Sequence, residues 1–360
     1  MTAVLLKQLR DQVKNRDEKI VKLLHERASL SIKIGEIKKS SGLSIYDSSQ
    51  ESKIYRWLNQ TNSGALPAVS LRKIFCEILS TSRALQAPVT VAYLGPDASF
   101  SHLAVQSHFG KSASLFPQSN IFDVFDQIEK RKIAWGVVPV ENSLEGSVAI
   151  TLDRLISTPL SIVADIFLSI SHCLLSTGKD LKALKRVYSH PQAMAQCQEW
   201  LRKNLPHCSL HEVESTSKAA QTVMEDDEGA AIGSIQAAAV NKLSIIAEGI
   251  EDRPSNTTRF FVIGEGNTTA TGRDKTSIIF GTRHEPGSLY RALEPFTDKE
   301  INLMKIVSHP IKDRMWEYLF FVDLTGHQEE KKVAECLEDL KEKCTFFKIL
   351  GSYPMGDITA

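Results

Sequence analysis

The sequence has no excess of charge of either sign and no long apolar run. Its 360 residues contain 43 Lys and Arg against 43 Asp and Glu, so the formal net charge is zero. This balance gives no electrostatic reason to expect nucleic acid or a membrane surface as a partner. No stretch approaches the roughly 18 uninterrupted apolar residues of a membrane span. Residues Met1–Arg16 are polar and lack the apolar centre of a signal peptide, so we expect a cytoplasmic protein.

Motifs for metals and for covalent catalysis are missing as well. The six cysteines form no CxxC pair and lack the spacing of zinc ligands, so we interpret them as free thiols. The sequence contains no Gly-rich phosphate loop and no pattern for a Ser/His/Asp triad. We therefore expect neither a metal nor a cofactor. The remaining composition, 42% hydrophobic and 24% charged, is that of an ordinary soluble protein with length for two or three domains.

Three helices are predicted in the first 88 residues. Leu5–Lys39 contains no Pro and repeats apolar residues at spacings of three, four or seven, which predicts one long amphipathic helix. Residues 40–42, Ser-Ser-Gly, end it. A second helix is predicted over 47–59 with a cap at Asp47, and a third over 68–85. Long helices with short joints suggest a bundle that needs a partner chain to bury its apolar seam.

Polar residues recur on these helices at regular spacings. Arg27 and Lys38 are eleven residues apart, within roughly 20° of one helix face, whereas Arg10 faces roughly 100° away from Arg27. Two pairs stand four residues apart on the second and third helices: Asp47 with Glu51, and Ser82 with Gln86. Judged by their spacing alone, these residues can equally be solvated side chains on the surface of a coiled-coil-like helix, with no role in binding.

The segments LRDQVKNRDEKIVKLLHERASLSIKIGEIK, IYDSSQES and IFCEILSTSRALQ resemble the three helices of the all-helical chorismate mutases. The resemblance implies an intertwined homodimer in which each site borrows residues from the partner, and the different facing of Arg10 agrees with this. The reaction is a pericyclic rearrangement of a dianion. It needs cations on two carboxylates and a donor on the breaking ether oxygen, held ready for the transition state.

The same resemblance implies a role for each polar residue of this region. Arg10, Arg27 and Ser82 would contact carboxylates, Lys38 and Gln86 would act catalytically on the ether oxygen, and Asp47 and Glu51 would contact the ring hydroxyl. Gln50 departs from the family, which usually has Arg immediately before the glutamate. That departure removes one cation from the implied site.

An α/β region of two lobes is predicted between Val89 and Gly264, with ligand at strand C-termini and helix N-termini. Strands are predicted over 89–94, 133–140, 160–175, 187–188, 230–232, 245–247 and 260–263. Helices are predicted over 100–109, 192–204, 217–225 and 234–241.

Five polar clusters follow these strands. They are Ser99 with Ser101, Glu141-Asn142-Ser143, Ser189-His190-Pro191-Gln192, Ser215-Thr216-Ser217, and Thr258-Arg259. Any single cluster can be an ordinary helix cap or a solvated strand end. Together they predict an anion cleft built from hydroxyls, amides and helix N-termini. His190 can be a base in that cleft or a purely positional residue before Pro191.

The segments YLGPDASFSHLA, GVVPVENSLEGSV, LSISHCLL, VYSHPQ, ESTSKAA and NTTRFFVIG resemble the prephenate dehydratases over nearly all of Val89–Gly264. The resemblance implies a two-lobed fold like that of periplasmic binding proteins, and the loss of carbon dioxide and the ring hydroxyl from prephenate. Thr258 is then the catalytic residue that helps hydroxide to leave. The residues implied to bind or orient substrate are Ser99, Asn142, Ser143, Gln192 and Arg259.

A linker over 265–274 precedes about 80 residues with the predicted order βαββαβ. This part resembles the ACT regulatory domain, which in relatives binds phenylalanine at a dimer interface. HEPGSLYRALEPF and NLMKIVSHP correspond to its two ligand motifs, and the residues implied there are Gly287, Ser288, Leu289 and Ser308. The second motif usually reads Glu-Ser-Arg-Pro, and here Val307 and His309 replace both charged positions.

The sequence thus predicts a multidomain chain: an all-α chorismate mutase region (1–88), an α/β two-lobed dehydratase region (89–266) and an α+β ACT domain (275–354). We expect a homodimer or larger homo-oligomer that converts chorismate through prephenate to phenylpyruvate under inhibition by phenylalanine. Four alternatives stay open. They are a dehydratase whose mutase region is degenerate, arogenate as the substrate, a non-catalytic small-molecule sensor, and an ACT domain that serves only in dimerisation.

Overall fold

The computed structural model describes residues 2–178, 180–253, 255–310, 318–356 and 358–359. Helices α1 (Thr2–Ser40), α2 (Ser48–Thr61) and α3 (Ala68–Gln86) confirm the three predicted helices. The carboxylate of Asp47 caps α2 by accepting a hydrogen bond from the Gln50 backbone N–H at 3.0 Å.

Helix α1 carries an apolar stripe that the rest of the chain leaves uncovered. Large apolar side chains are exposed along its whole length, from Val4 at 64% to Ile37 at 64%. The helix buries only Ser31 and Gly35. A Cβ on Gly35 would lie 2.7 Å from Cγ of Gln86, so this glycine lets α3 approach α1 closely. A continuous exposed apolar stripe of this kind marks an interaction surface.

The α/β region begins with β1 (Thr90–Leu94), α4 (Phe100–Phe109), β2 (Ser114–Gln118), α5 (Ile121–Glu129), β3 (Trp135–Asn142), β4 (Gly146–Ser147), α6 (Ala149–Ser157) and β5 (Ser161–Ser169). It continues with β6 (Cys173–Ser176), β7 (Arg186–Ser189), α7 (Pro191–Gln196), α8 (Gln198–Asn204), β8 (Ser209–Glu212), α9 (Thr216–Val223), β9 (Gly229–Gly233), α10 (Ile235–Asn241), β10 (Ser244–Glu248) and β11 (Thr257–Gly264).

These strands form two sheets, one in each lobe, which confirms the two-lobed arrangement. The first sheet has the order β5-β11-β3-β1-β2, with β4 paired to β3. The second has the order β10-β6-β9-β7-β8. Strand β11 returns from the second lobe and runs antiparallel between β3 and β5. An interior strand of the first sheet is therefore also the last strand of the α/β region.

Two of the predicted elements in this region differ from the structure, and α5, α6, β2, β4 and β8 were not predicted. The predicted single strand over 160–175 is wrong, because the chain leaves the first sheet after Ser169 and enters the second at Cys173. The polar residues between them cross from one lobe to the other, and the His172 backbone N–H donates to Glu251 instead of to a strand. The predicted helix over 192–204 is divided into α7 and α8 at Cys197.

The C-terminal elements are β12 (Asp274–Gly281), α11 (Ser288–Asp298), β13 (Leu303–Pro310), β14 (Tyr318–Thr325), α12 (Lys331–Glu342) and β15 (Phe346–Pro354), followed by the short β16 (Ile358–Thr359) on β5. The first six confirm the predicted βαββαβ order. Their sheet has the order β13-β14-β12-β15.

This C-terminal sheet shares a hydrophobic core with the first lobe. Ile162 and Phe261 of the lobe lie in one buried cluster with Ile279, Leu350 and Tyr353 of the C-terminal sheet. The other face of the C-terminal sheet packs against α11 and α12 in a separate core. The C-terminal domain is therefore packed directly against the sheet that contains β11.

Across the described ranges, no helix is both long and apolar enough to cross a bilayer. The same residues contain no group of three or more His, Cys, Asp or Glu placed to hold a metal. The six cysteines, all of which are described, are free.

Candidate active sites

A polar cluster lies between the three N-terminal helices. Arg27 of α1 donates a hydrogen bond to the Ser82 hydroxyl of α3. Lys38 Nζ donates to the Ile45 carbonyl at 2.9 Å, which places the lysine over the loop before α2. Glu51 of α2, whose side chain is 12% exposed, lies within electrostatic reach of Lys38 and Arg27. The three helices thus bring two cations and a carboxylate together.

Two predicted residues relate differently to this cluster. The amide oxygen of Gln86 is buried and has no hydrogen-bond partner among the described residues, so that amide can serve a ligand. Arg10 is exposed and stands about 25 Å from Arg27 along α1. It therefore stays outside the cluster that its own chain forms.

Sequence reasoning missed Arg83, which pairs with Glu51. The Arg83 and Glu51 side chains are 6% and 12% exposed and are joined by a short ion pair. A second arm of the guanidinium, Nη2, donates to the Phe109 carbonyl at 2.6 Å. No spacing rule identified Arg83, because its partners come from α2 and from the end of α4.

A cleft of about 500 Å³ separates the two lobes of the α/β region. Each of the five polar clusters contributes to its lining: Ser99, Ser101, Asn142, His190, Gln192, Ser215, Thr216 and Thr258. The lining, within the part of the chain that the structure describes, contains no Lys or Arg, and its acidic members are Glu145 and Glu214. An anion bound here must therefore be held by hydroxyls, amides and backbone N–H groups.

Helix N-termini supply those backbone donors. Ser99 caps α4 and accepts from the His102 N–H, and Ser215 caps α9 and accepts from the Lys218 N–H. His190 Nδ1 accepts from the Gln192 N–H at 3.3 Å, so this imidazole is a cap in the structure. The N-termini of α4 and α9 open into the cleft from different lobes.

The side chain of Thr258 lies at one end of a directed hydrogen-bond network centred on Asn142. The amide oxygen of Asn142 accepts from the backbone N–H groups of Leu144 at 3.0 Å and Glu145 at 3.3 Å. This fixes the Asn142 amide nitrogen as the donor to Thr258 Oγ1 at 2.9 Å and to Asn256 Oδ1 at 2.7 Å. Because Thr258 Oγ1 already accepts from Asn142, its own proton is free to point into the cleft.

His172 and Gln196 extend the network and were not selected from the sequence. Gln196 Oε1 accepts from Asn256 at 2.9 Å and lies 2.9 Å from Nε2 of His172. Burial lowers the pKa of His172, partly opposed by its bond to Gln196 and by Glu251, so the imidazole is neutral at pH 7. Its Nδ1 is buried without a partner in the described residues. Both side chains line the cleft, His172 from the segment that crosses between the lobes and Gln196 from the end of α7.

Two residues predicted to bind substrate lie outside the cleft. Ser143 bridges to the start of β11, where its hydroxyl accepts from the Thr257 N–H at 3.0 Å and donates to the Ser255 carbonyl at 3.2 Å. Arg259 follows Thr258 on β11 and points to the opposite face of the sheet. Its buried guanidinium contacts Asp165 of β5 and Asp323 of the C-terminal sheet.

The residues implied for effector binding lie at two places in the C-terminal region, the start of α11 and the edge strand β13. Gly287 has a left-handed backbone (φ 77°) and caps α11, which begins with Ser288 and Leu289. Ser308 is exposed on the edge strand β13.

The departures from the second ligand motif lie on the other face of β13. Val307 packs in the core shared with the first lobe, and His309 Nε2 lies 2.7 Å from Asp153 of α6. Both therefore contact the first lobe, whereas Ser308 faces away from it.

Comparisons with known proteins divide the chain in the same order. The family model for chorismate mutase type II matches residues 9–87, that for prephenate dehydratase matches 91–268, and that for the ACT domain matches 276–342. A bifunctional chorismate mutase/prephenate dehydratase of Aquifex aeolicus is 45% identical over 353 residues, covering 97% of this chain and 98% of the relative. The chain belongs to the family of bifunctional chorismate mutase/prephenate dehydratases.

Another relative supports the same assignment. The bifunctional enzyme of Neisseria gonorrhoeae is 40% identical over 96% of each chain. Members of this family are enzymes of phenylalanine biosynthesis with a mutase region, a dehydratase region and an ACT regulatory domain. The present chain is therefore a biosynthetic enzyme with both catalytic regions and the regulatory domain.

Solved structures resemble the dehydratase and regulatory regions. The prephenate dehydratase of Arthrobacter aurescens, solved in complex with L-Phe, is 31% identical with a TM-score of 0.70, and covers 75% of this chain and 91% of that one. The dehydratase of Staphylococcus aureus is 28% identical with a TM-score of 0.66, and covers 74% and 100%.

Proposed function

We propose that the N-terminal helices convert chorismate to prephenate and that the cleft converts prephenate to phenylpyruvate, carbon dioxide and water. Phenylalanine is the proposed feedback inhibitor, acting through the ACT domain. The proposed domain limits are 1–88, 89–266 and 275–354. The orientation of Asn142 towards Thr258 is the observation that carries the dehydratase assignment.

In the proposed dehydratase step, Thr258 assists the departure of the ring hydroxyl. The ring carboxylate leaves as carbon dioxide, its bonding electrons move through the ring, and the carbon–oxygen bond to the hydroxyl breaks as the ring becomes aromatic. The Thr258 proton, left free by Asn142, donates a hydrogen bond to the departing oxygen. The oxygen leaves as hydroxide and becomes water by taking up a proton from solvent. Since the negative charge grows on that oxygen only in the transition state, this bond lowers the barrier.

The substrate carboxylates are proposed to lie at the N-termini of α4 and α9. Ser99, Ser101, Ser215 and Thr216 line the cleft at these two helix starts, where backbone N–H groups carry partial positive charge. Gln192 adds an amide from the second lobe. Anchors on both lobes favour a closed state around the dianion.

The proposed mutase site uses Arg27, Lys38, Asp47, Glu51, Ser82 and Gln86 of one chain with Arg10 of a second copy. The uncovered apolar stripe of α1 supports a homodimer, because pairing with another α1 would bury it. The exposed position of Arg10, about 25 Å from Arg27, suits a residue that serves the other copy. Measurement of mass in solution tests this proposal, and a stable monomer with full mutase turnover would refute it.

Separate assays with chorismate and with prephenate test the two activities. We expect Thr258→Ala to reduce kcat for prephenate about 100-fold or more while substrate binding and chorismate turnover are kept. Thr258→Ser retains the hydroxyl and is the matched control, for which we expect most of the activity. Equal loss in both variants would show that the hydroxyl is not the group that matters.

The remaining proposals concern substrate choice, effector and location. Prephenate is the proposed substrate, and a higher kcat/KM with arogenate would reverse that choice. We propose that Gly287, Ser288, Leu289 and Ser308 bind phenylalanine where two ACT domains meet. Calorimetry that detects no binding at millimolar phenylalanine would refute this. Free cysteines throughout the chain support a cytoplasmic location.

A further inference from the structure

Arg83 links the helical cluster to the first lobe of the dehydratase. Its Nη1 contacts the Glu51 carboxylate on α2, and its Nη2 donates to the Phe109 carbonyl at the end of α4. The guanidinium also lies 5.8 Å from the ring centroids of Tyr46 and Phe109. With 5% of its surface exposed, Arg83 is held by partners on every side.

The contact between α3 and the end of α4 keeps Arg83 in this position. The Ser112 N–H donates to Ser80 Oγ at 3.0 Å, and the Lys111 N–H donates to Glu77 Oε2 at 3.2 Å. A Cβ on Gly110 would lie 2.5 Å from the Cβ of Ser80, so the two segments touch at this glycine. These contacts come from the dehydratase region, so that region fixes one arm of Arg83.

The charge of Glu51 depends on its surroundings. Burial raises the pKa of this carboxyl, and the Arg83 charge and hydrogen bond oppose that rise. The other groups that act on Glu51 are Lys38 and Arg27 from α1, Asp47 before α2, and Tyr55 and Tyr46. Gln50, the residue before Glu51, is uncharged. Removal of Arg83 would therefore leave a buried carboxylate with its strongest partner missing.

We propose that Arg83 is a positioning residue for the mutase reaction: it holds the Glu51 carboxylate in place as the acceptor for the substrate's ring hydroxyl, and the dehydratase region in turn holds Arg83. This proposal rests on the proposed mutase function. It makes the mutase site of this chain depend on the neighbouring domain, because the Phe109 carbonyl belongs to the dehydratase region.

The test measures kcat/KM for chorismate against pH in the full chain. Arg83→Met removes the charge but keeps much of the side-chain volume. We expect a fall of about 10- to 100-fold at pH 7 and a shift of the acidic limb of the profile towards higher pH, because Glu51 then takes up a proton more readily. Arg83→Lys keeps a cation, and we expect it to return the limb towards its original position. Prephenate turnover of both variants reports whether the chain is folded.

Matched variants separate positioning from general stability. Arg56→Met removes another arginine of the helical region, whose Nη1 donates to the Thr271 carbonyl at 2.9 Å, and we expect no shift of the acidic limb. In Glu51→Gln the acidic limb should disappear. Adding Arg83→Met to Glu51→Gln should lower kcat/KM for chorismate much less than Arg83→Met lowers it in the wild-type chain. A fall in activity with an unchanged limb, or fully additive losses, would overturn the proposal.

Failure of the proposed function would look different. A wild-type chain that turns over prephenate but not chorismate would refute the mutase assignment itself. The role of Arg83 would then be decided by the titration of Glu51, followed by carboxyl ¹³C NMR in wild type and Arg83→Met. An equal pKa in the two proteins would overturn the hold of Arg83 on the Glu51 carboxylate. A higher pKa in Arg83→Met would show that Arg83 holds this carboxylate, and only the catalytic use of the contact would then be refuted.

Discussion

Replacing Arg259 by methionine tests whether this arginine serves the substrate or joins two domains. Its Nε donates to Asp165 at 3.1 Å, its Nη1 to Asp323 at 2.5 Å, and its Nη2 to the Tyr353 hydroxyl at 3.1 Å. The side chains of Arg259, Asp165 and Asp323 are 6%, 0% and 9% exposed. Arg259→Met therefore leaves two buried carboxylates without their shared cation.

The expected cost follows from the partners that remain. Breaking a buried ion pair by removing one member costs about 3–5 kcal/mol. Asp165 keeps its ion pair with Lys275, and Asp323 keeps the Ser277 hydroxyl as a donor, so we expect the lower end, about 3 kcal/mol. For a unit of this size that corresponds to a fall of roughly 6 °C or more in the midpoint of thermal unfolding.

The pH dependence gives a second measure. Burial raises the pKa of Asp323, but Arg259, Ser277 and Lys275 outweigh it, so the pKa in the folded protein lies below its ordinary value of 3.8. A depressed carboxyl pKa stabilises the fold above the unfolded pKa, and this stabilisation is lost as pH falls through the folded pKa. In Arg259→Met this contribution should shrink, so the variant should gain less stability between pH 3 and pH 6 than wild type.

Calorimetric scans, together with prephenate kinetics, decide between the two roles. Arg131→Met is the control, because Arg131 pairs with Glu265 on the surface at 79% and 56% exposure, and we expect a change within about 0.5 kcal/mol. If Arg259→Met raised KM for prephenate strongly while its unfolding midpoint matched wild type, the domain-joining role would be wrong and direct substrate binding would be favoured.

Two further predictions concern the domain contacts. Gly110→Ala should destabilise the chain by about 2–4 kcal/mol in thermal unfolding, because Gly110 has a left-handed backbone (φ +69°) and an added Cβ would clash with Ser80. The control Gly42→Ala has a similar backbone (φ +64°) but no atom within 4 Å of the added Cβ, so it should cost about 1–2 kcal/mol. Equal costs would contradict the clash. Lys305→Met removes the 2.6 Å pair with Glu141 and should change the phenylalanine concentration for half-inhibition about 2- to 5-fold, and an unchanged value would exclude this pair from the response.

The sequence patterns predicted the helices and the cleft residues that follow from local rules. The apolar spacing of α1 and the cap at Asp47 are properties of neighbouring residues, so they could be read directly. Short elements such as β2 were missed because SLFPQ contains a proline and lies half exposed at a sheet edge. The strand over 160–175 was wrong because apolar residues on both sides of a lobe crossing look like one continuous run.

Side-chain roles that depend on distant partners could not be predicted. His172, Gln196 and Asn256 lie far apart in the sequence and meet only because the chain crosses twice between the lobes. Arg83 likewise depends on a carbonyl 26 residues away. For Arg259 the alternation of a strand does require it to face away from Thr258. Strand alternation does not, however, identify Asp323 as the partner of Arg259 on that face.

Because side chains alternate between the two faces of β11, the residue after Thr258 contacts the regulatory domain. Thr258 faces the cleft, and Arg259 binds Asp323 of β14, so a displacement of β14 acts on β11 at this position. On the neighbouring strand, Asn142 orients Thr258 while Glu141 is paired with Lys305 of β13. Both strands that hold the proposed catalytic network are thus tied to the C-terminal sheet by ion pairs. Because hydrogen-bond strength falls steeply with misalignment, a small shift of these two strands is sufficient to weaken the Asn142–Thr258 contact.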